Sequence, residues 1–127
     1  MNAKNVKIMI ADDDPGIVDA VEMLLKFEGY EVISTLDGST TIFDMKQEQP
    51  DLLLLDIWMS GEDGRDICKK IKQDEATKSL PVIMISASRD IRESAMEAGA
   101  DDFLAKPFEM DQLLKKIAYY TQKRDVA

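Results

Sequence analysis

The stretch Pro50-Asp51-Leu52-Leu53-Leu54-Leu55-Asp56 decides the fold. Four consecutive leucines between carboxylates are too few for a globular helix or a membrane span, and they suit a strand buried on both faces. Asp56 then ends a central strand. The next residues, Ile57-Trp58-Met59-Ser60-Gly61-Glu62-Asp63-Gly64, carry two glycines and a helix cap at Asp63. Asp56 is therefore expected at the mouth of a loop, which in a parallel α/β sheet is where ligands bind.

Upstream, Val6-Lys7-Ile8-Met9-Ile10-Ala11 reads as a first strand ended by Asp12-Asp13-Asp14-Pro15-Gly16. Asp14 before Pro15 predicts an N-cap, and Ile17, Ala20, Val21, Leu24 and Leu25 give a helical stripe that Gly29 stops. Tyr30 to Thr35 is a shorter, more polar strand suited to an edge. Ser39 to Lys46 reads as a weaker helix with Ile42 and Met45 inward.

Downstream, Ile67, Cys68 and Ile71 mark a third helix ending near Gln73, with Arg65, Lys69, Lys70 and Lys72 toward water. Leu80 to Ala87 is a second continuous apolar strand, and Ser88 is expected to cap a helix carrying Ile91, Ala95 and Ala98 up to Gly99. Asp102-Phe103-Leu104-Ala105 is a short fifth strand. Lys106-Pro107-Phe108 leads into a helix with Met110, Leu113, Leu114 and Ile117 at helical spacing. Strands alternating with helices predict a flavodoxin-like (βα)5 doubly wound parallel five-stranded sheet, order 2-1-3-4-5, because the most apolar strands belong inside. The whole chain, 1–127, is read as one domain with no room for an output domain.

Twenty-five acids against sixteen bases leave a net charge of −9, which argues against direct nucleic-acid binding. Without histidine, His-based triads, most zinc sites and phosphohistidine chemistry on this chain are excluded. A lone cysteine, no N-terminal signal region and no spanning apolar run predict a cytoplasmic protein that does not enter a membrane.

Strands that all point one way gather their carboxyl ends on one rim. At about 4.8 Å between neighbours, Asp12 and Asp13 stand beside Asp56, Ser86 lies on its other side, and Lys106 is roughly 10 Å away, within reach of its long side chain. Crowded carboxylates repel, so one should hold its proton more tightly than a free carboxyl unless a cation is present. All-oxygen ligands favour Mg²⁺, with Asp13 and Asp56 as ligands and Asp14 left to its turn. A cation, a carboxylate, an ammonium and a hydroxyl suit phosphoryl transfer with Asp56 as nucleophile and Lys106 and Ser86 on the phosphoryl oxygens. The smallness of Ala87 leaves room for the incoming group.

Taken in order, Asp12-Asp13, Asp56, Ser86-Ala87 and Lys106-Pro107-Phe108 resemble the receiver domain of two-component response regulators, across essentially the whole chain. The resemblance implies that Asp56 accepts a phosphoryl group from a sensor histidine kinase or a histidine phosphotransfer protein. It also implies that Asp13, Asp56 and the backbone carbonyl of Trp58 ligate Mg²⁺, with Asp12 helping through water. Ser86 and Phe103 are the implied switch pair. Helix 4, strand 5 and helix 5 form the implied face for a downstream partner, with Arg92, Glu93, Tyr119 and Tyr120 as candidate contacts, and a homodimer is compatible.

Two departures stand out. Met59 is followed by Ser60 where the family usually has proline, and the positions two past Asp56 and two past Ser86 are Trp58 and Ser88. The alternative is an Mg²⁺-dependent phosphohydrolase with an aspartate nucleophile, which would need a carboxylic acid where Trp58 stands. A flavin or nucleotide module lacks its glycine-rich turn, and a calcium loop begun at Asp12 would end on Met23 instead of glutamate.

Overall fold

The computed structural model describes residues 6–59, 61–88 and 91–126. Residues 1–5, 60, 89–90 and 127 lie outside the described residues. Strands β1 (Lys7–Ala11), β2 (Glu31–Thr35), β3 (Leu52–Asp56), β4 (Val82–Ser86) and β5 (Asp102–Ala105) form one sheet. Its order is β2-β1-β3-β4-β5 and every adjacent pair is parallel, as expected from the polarity of the strands.

Helices α1 (Pro15–Phe27) and α5 (Met110–Val126) cover one face. Helices α2 (Thr41–Glu48), α3 (Gly64–Gln73) and α4 (Arg92–Glu97) cover the other. The leucine run is uniform because successive side chains serve opposite cores: Leu52 and Leu54 pack with Val18, Leu25 and Ile117, whereas Leu53 and Leu55 pack with Met45, Ile67 and Ile71. β4 repeats the pattern, with Ile83 and Ile85 on the first side and Val82 and Met84 on the second. Each of these eight strand side chains is fully buried. At roughly 25 cal/mol per Å² of apolar surface removed from water, such strands dominate the stability of the sheet.

Several local expectations change. Ala20 is exposed, and the buried residues of α1 are Val18, Val21 and Leu25, so the helix is rotated toward Val18 relative to the stripe read from sequence. Gly38–Thr40 form a 3-10 turn begun by Asp37, whose side chain accepts from the Ser39 N–H, and α2 follows it two residues later than predicted. Met45 is buried as expected and Ile42 partly so. Met110 is exposed, leaving Leu113 and Ile117 as the buried anchors of α5.

Ser88 does not cap α4. Its N–H donates to Ser86 Oγ at 3.0 Å, and the α4 N-cap is Ile91, without a side-chain cap. Lys72 is half-buried instead of solvated, because its ammonium reaches the Leu80 carbonyl at 2.6 Å and Asp101 Oδ2 at 2.8 Å. It clips the end of α3 to the start of β4 and the approach to β5. No helix among the described residues is long and apolar enough to cross a membrane.

Candidate functional site

The rim forms where β1, β3, β4 and β5 end. Asp12 follows β1, where its N–H donates to the Thr35 carbonyl at 3.2 Å and its Oδ1 accepts from the Asp14 N–H at 3.0 Å. Asp14 is the expected N-cap, accepting from the Gly16 N–H at 2.9 Å. Asp12 is wholly buried while Asp13 is exposed, and Asp56 at the end of β3 is 7% exposed. One carboxylate oxygen from each of Asp12, Asp13 and Asp56 lies within 4.8 Å of the others.

Lys106, just past β5, spans the gap to these acids. Its Nζ is 2.9 Å from Asp12 Oδ2 and 3.5 Å from Asp56 Oδ1. The contact with Asp12 Oδ2 is an ion pair without a well-aligned hydrogen bond, so this buried oxygen keeps unused acceptor capacity. The Lys106 N–H donates to the Ser86 carbonyl at 2.8 Å, tying the ends of β4 and β5 together. The Lys106–Pro107 peptide is cis.

Ser86 is buried beside Asp56, whose register partner on β4 is Ile85. Phe103 is also buried, 7% exposed, in the core beneath α4. Ala87 is exposed and lines an apolar groove of ≈ 390 Å³ with Ile17, Ala20 and Phe108. A larger concavity of ≈ 600 Å³ lies at the other end of the strands, around Pro50, Asp51 and Leu80. It contains none of the rim acids, so volume is a poor guide to the chemistry here.

Burial pushes the Asp56 carboxyl up to about 6, the Asp12 charge adds to the rise, and Lys106 offsets only part of it. The tighter hold on a proton expected from crowded acids thus falls on Asp56. Burial works against the charge of Lys106, but its contacts with Asp12 and Asp56 outweigh that and raise its pKa. Lys106 is therefore a fixed cation. The lone Cys68 is buried, which pushes its thiol up to about 11 and makes it a core residue.

Sequence reasoning missed the form of the loop after Asp56. Trp58–Met59 and Glu62–Asp63 make a two-stranded antiparallel ribbon turning at Gly61, which has φ +87. Met59 is fully buried and Trp58 is 58% exposed, with the Arg65 guanidinium carbon 5.8 Å from its ring centroid. Asp63 caps α3 as expected, accepting from the Arg65 N–H. Gly64 was not singled out, yet a Cβ there would collide with the Asp56 carbonyl oxygen and stand 3.0 Å from Ile57 Cα. The glycine directly after the cap was the available signal.

Among the surface candidates, Arg92, Glu93 and Tyr119 are exposed. Tyr120 is half-buried, with its hydroxyl donating to the Asp101 carbonyl at 3.0 Å or Asp102 Oδ2 at 3.1 Å, so it is already engaged.

Comparison with known proteins matches residues 8–118 to the response regulator receiver domain. The chain is 36% identical over 121 residues to the DNA-binding dual master transcriptional regulator RpaA of Synechocystis, covering 94% of this chain and 50% of that protein. It is 36% identical over 120 residues to the response regulator PleD of Caulobacter vibrioides, covering 93% of this chain and 26% of PleD. The chain therefore spans about half or less of these curated relatives.

Among solved structures, the CheY-like receiver domain protein of Methanospirillum hungatei superposes with a TM-score of 0.87 at 28% identity, covering 96% of this chain and 98% of that one. The NtrX receiver domain of Brucella abortus gives 0.82 at 33% identity, covering 91% and 98%. A match that runs from β1 into α5 takes in every strand of the sheet, and the chain belongs to the response regulator receiver domain family of two-component systems.

Proposed function

We propose that this receiver domain accepts a phosphoryl group on Asp56 from the phosphohistidine of a sensor histidine kinase or a histidine phosphotransfer protein, in a reaction that uses Mg²⁺. The observation that carries the proposal is the ammonium of Lys106 within 3.5 Å of Asp56 and 2.9 Å of Asp12, beside the carboxylate of Asp13. In the transfer an Asp56 carboxylate oxygen forms a bond to phosphorus as the phosphorus–nitrogen bond of the donor breaks. The electron pair leaves with the imidazole, and Asp56 becomes an acyl phosphate. Lys106 binds one phosphoryl oxygen and the Ser86 hydroxyl another, while Ala87 leaves the space open.

The donor set fits a hard divalent cation: three carboxylates with oxygens within 4.8 Å, one of them with unused capacity on a buried oxygen, and no nitrogen or sulfur ligand. Asp13, Asp56 and the backbone carbonyl of Trp58 would hold Mg²⁺, and Asp12 would act through water. Bound there, Mg²⁺ would neutralise charge on the acids and on the phosphoryl oxygens.

The Ser86 hydroxyl then draws toward the phosphoryl group, and Phe103, already inward, supports the changed face of α4, β5 and α5 that a downstream partner reads. The domain works as a signalling acceptor in the cytoplasm, with no direct nucleic-acid contact, consistent with its charge of −9. A phosphohydrolase reading is not favoured, since Trp58 offers no proton donor where that chemistry needs one. Intact mass after incubation with acetyl phosphate and Mg²⁺ tests the proposal. One phosphoryl group should add to the unmodified chain and none to Asp56→Asn, whereas equal labelling of both would refute it.

A further inference from the structure

We propose that Arg65 is a positioning residue that couples the Trp58 ribbon beside Asp56 to α4. It rests on the reading of Asp56 as phosphoacceptor and extends it to the route by which the site moves a helix. Arg65 uses three faces of one guanidinium. Nε and Nη2 donate to the two oxygens of Asp63 at 3.0 and 2.8 Å. Nη1 donates to Ser94 Oγ on α4 at 3.0 Å, and the guanidinium carbon lies 5.8 Å from the centre of the Trp58 ring.

Asp63 is also the strand partner of Trp58 in the ribbon, so both contacts on that side report the position of the residue two past Asp56. A shift of the Trp58 backbone moves Asp63 across the ribbon and the tryptophan ring at the same time. A planar fork held bidentately transmits that shift to its remaining nitrogen, which a lysine ammonium cannot do.

The receiving end suits the role. α4 has six residues, Arg92–Glu97, too few to be stable alone, and its N-cap Ile91 supplies no side-chain hydrogen bond. Ser94 Oγ donates to the Ile91 carbonyl at 3.0 Å while accepting from Arg65. The chain Arg65–Ser94–Ile91 thus braces the first turn of α4, where the Ile91 side chain makes no cap hydrogen bond, and it is anchored on the loop of the phosphorylation site.

Hydrogen exchange in residues 91–98, measured on the full chain with and without Mg²⁺ and beryllofluoride as the phosphoryl stand-in, tests this coupling. In the unmodified chain, exchange in α4 changes when the site is filled. Ser94→Ala severs only the α4 arm, and Arg65→Lys keeps the charge but loses the fork. Each should raise basal exchange in α4 roughly tenfold, as expected for a lost hydrogen bond to a charged donor, and weaken its response to filling. Both variants should still gain one phosphoryl group by intact mass.

A response in the variants equal to that of the unmodified chain would overturn the coupling, as would an unmodified α4 indifferent to filling while Asp56 is labelled. Failure of the unmodified chain to be labelled would overturn the reading of Asp56 and the coupling with it.

Discussion

Replacing Asp56 with asparagine should stabilise the metal-free protein. The Asp56 carboxyl is raised from 3.8 to about 6, and its side chain is 10% exposed, so solvent screens little of the effect. A raised folded-state pKa means that ionising Asp56 at neutral pH opposes folding. The rise from 3.8 to about 6 corresponds to a ceiling of ~3 kcal/mol.

Asp56→Asn keeps the shape and removes the charge, while Lys106 keeps its ion pair with Asp12. For a domain of this length the gain corresponds to a rise in Tm on the order of 10 °C. The sign with pH is specific. The Asp56 contribution to stability is fully present below the unfolded-state pKa near 4 and is lost as pH rises through 6. The advantage of the asparagine variant should therefore be largest at pH 7.5, shrink between pH 6 and 4, and vanish below that range.

Thermal melts of both proteins in EDTA across this range measure it. Equal Tm values at pH 7.5, or a gap that stays constant down to pH 4, would show that Asp56 is not the strained group.

The same strain predicts that Mg²⁺ raises the Tm of the unmodified chain, by about 1.4 kcal/mol of stability at ten times its Kd. The Asp13 charge adds to the strain on Asp56, so Asp13→Ala should raise the metal-free Tm slightly and reduce this response; the same response in both proteins would remove Asp13 from the ligand set. Gly64→Ala should destabilise by ~2 kcal/mol or more, because its Cβ would collide with the Asp56 carbonyl oxygen and both backbones would have to yield. Denaturant melts read this directly, and an unchanged midpoint would mean that α3 can move away freely.

The sheet was legible because Leu52 to Leu55 and Val82 to Ile85 must satisfy two cores at once, and few patterns other than a doubly covered strand do so. The rim followed from it, since parallel strands fix which residues share an end. Asp12, Asp13, Asp56, Ser86 and Lys106 could then be placed without any knowledge of their side-chain contacts.

What was not legible depended on choices that periodicity leaves open. Ala20 and Val18 are both apolar neighbours on α1, and only packing against β1 and β3 decides which turns inward. Ser88 carries a hydroxyl of the kind that caps helices, but its backbone is used by Ser86 instead. Lys72 reads as a solvated cation until the loop after α3 brings the Leu80 carbonyl and Asp101 to it. Arg65 reads as solvated but is half-buried on Asp63 and Ser94, and the weight of Gly64, like that of Arg65, lies in what approaches it from β3 and α4.

The frame of the site and its chemistry are held by different atoms. The Ile57 N–H bonds to the Ile85 carbonyl at 3.0 Å, the Lys106 N–H bonds to the Ser86 carbonyl at 2.8 Å, and Gly64 lets α3 close on the backbone of Asp56. These contacts fix the rim through the main chain and leave its side chains free to be electrostatically unfavourable. Three acids crowded on one rim, two of them on a single ammonium, are tolerable because the two strand cores supply the stability that the rim consumes. A protein built this way should lose function without losing stability when a rim acid is neutralised, and lose stability when Gly64 is filled. The opposite pattern, collapse on neutralising Asp56 and tolerance at Gly64, would mean that the acids themselves hold the strand ends together.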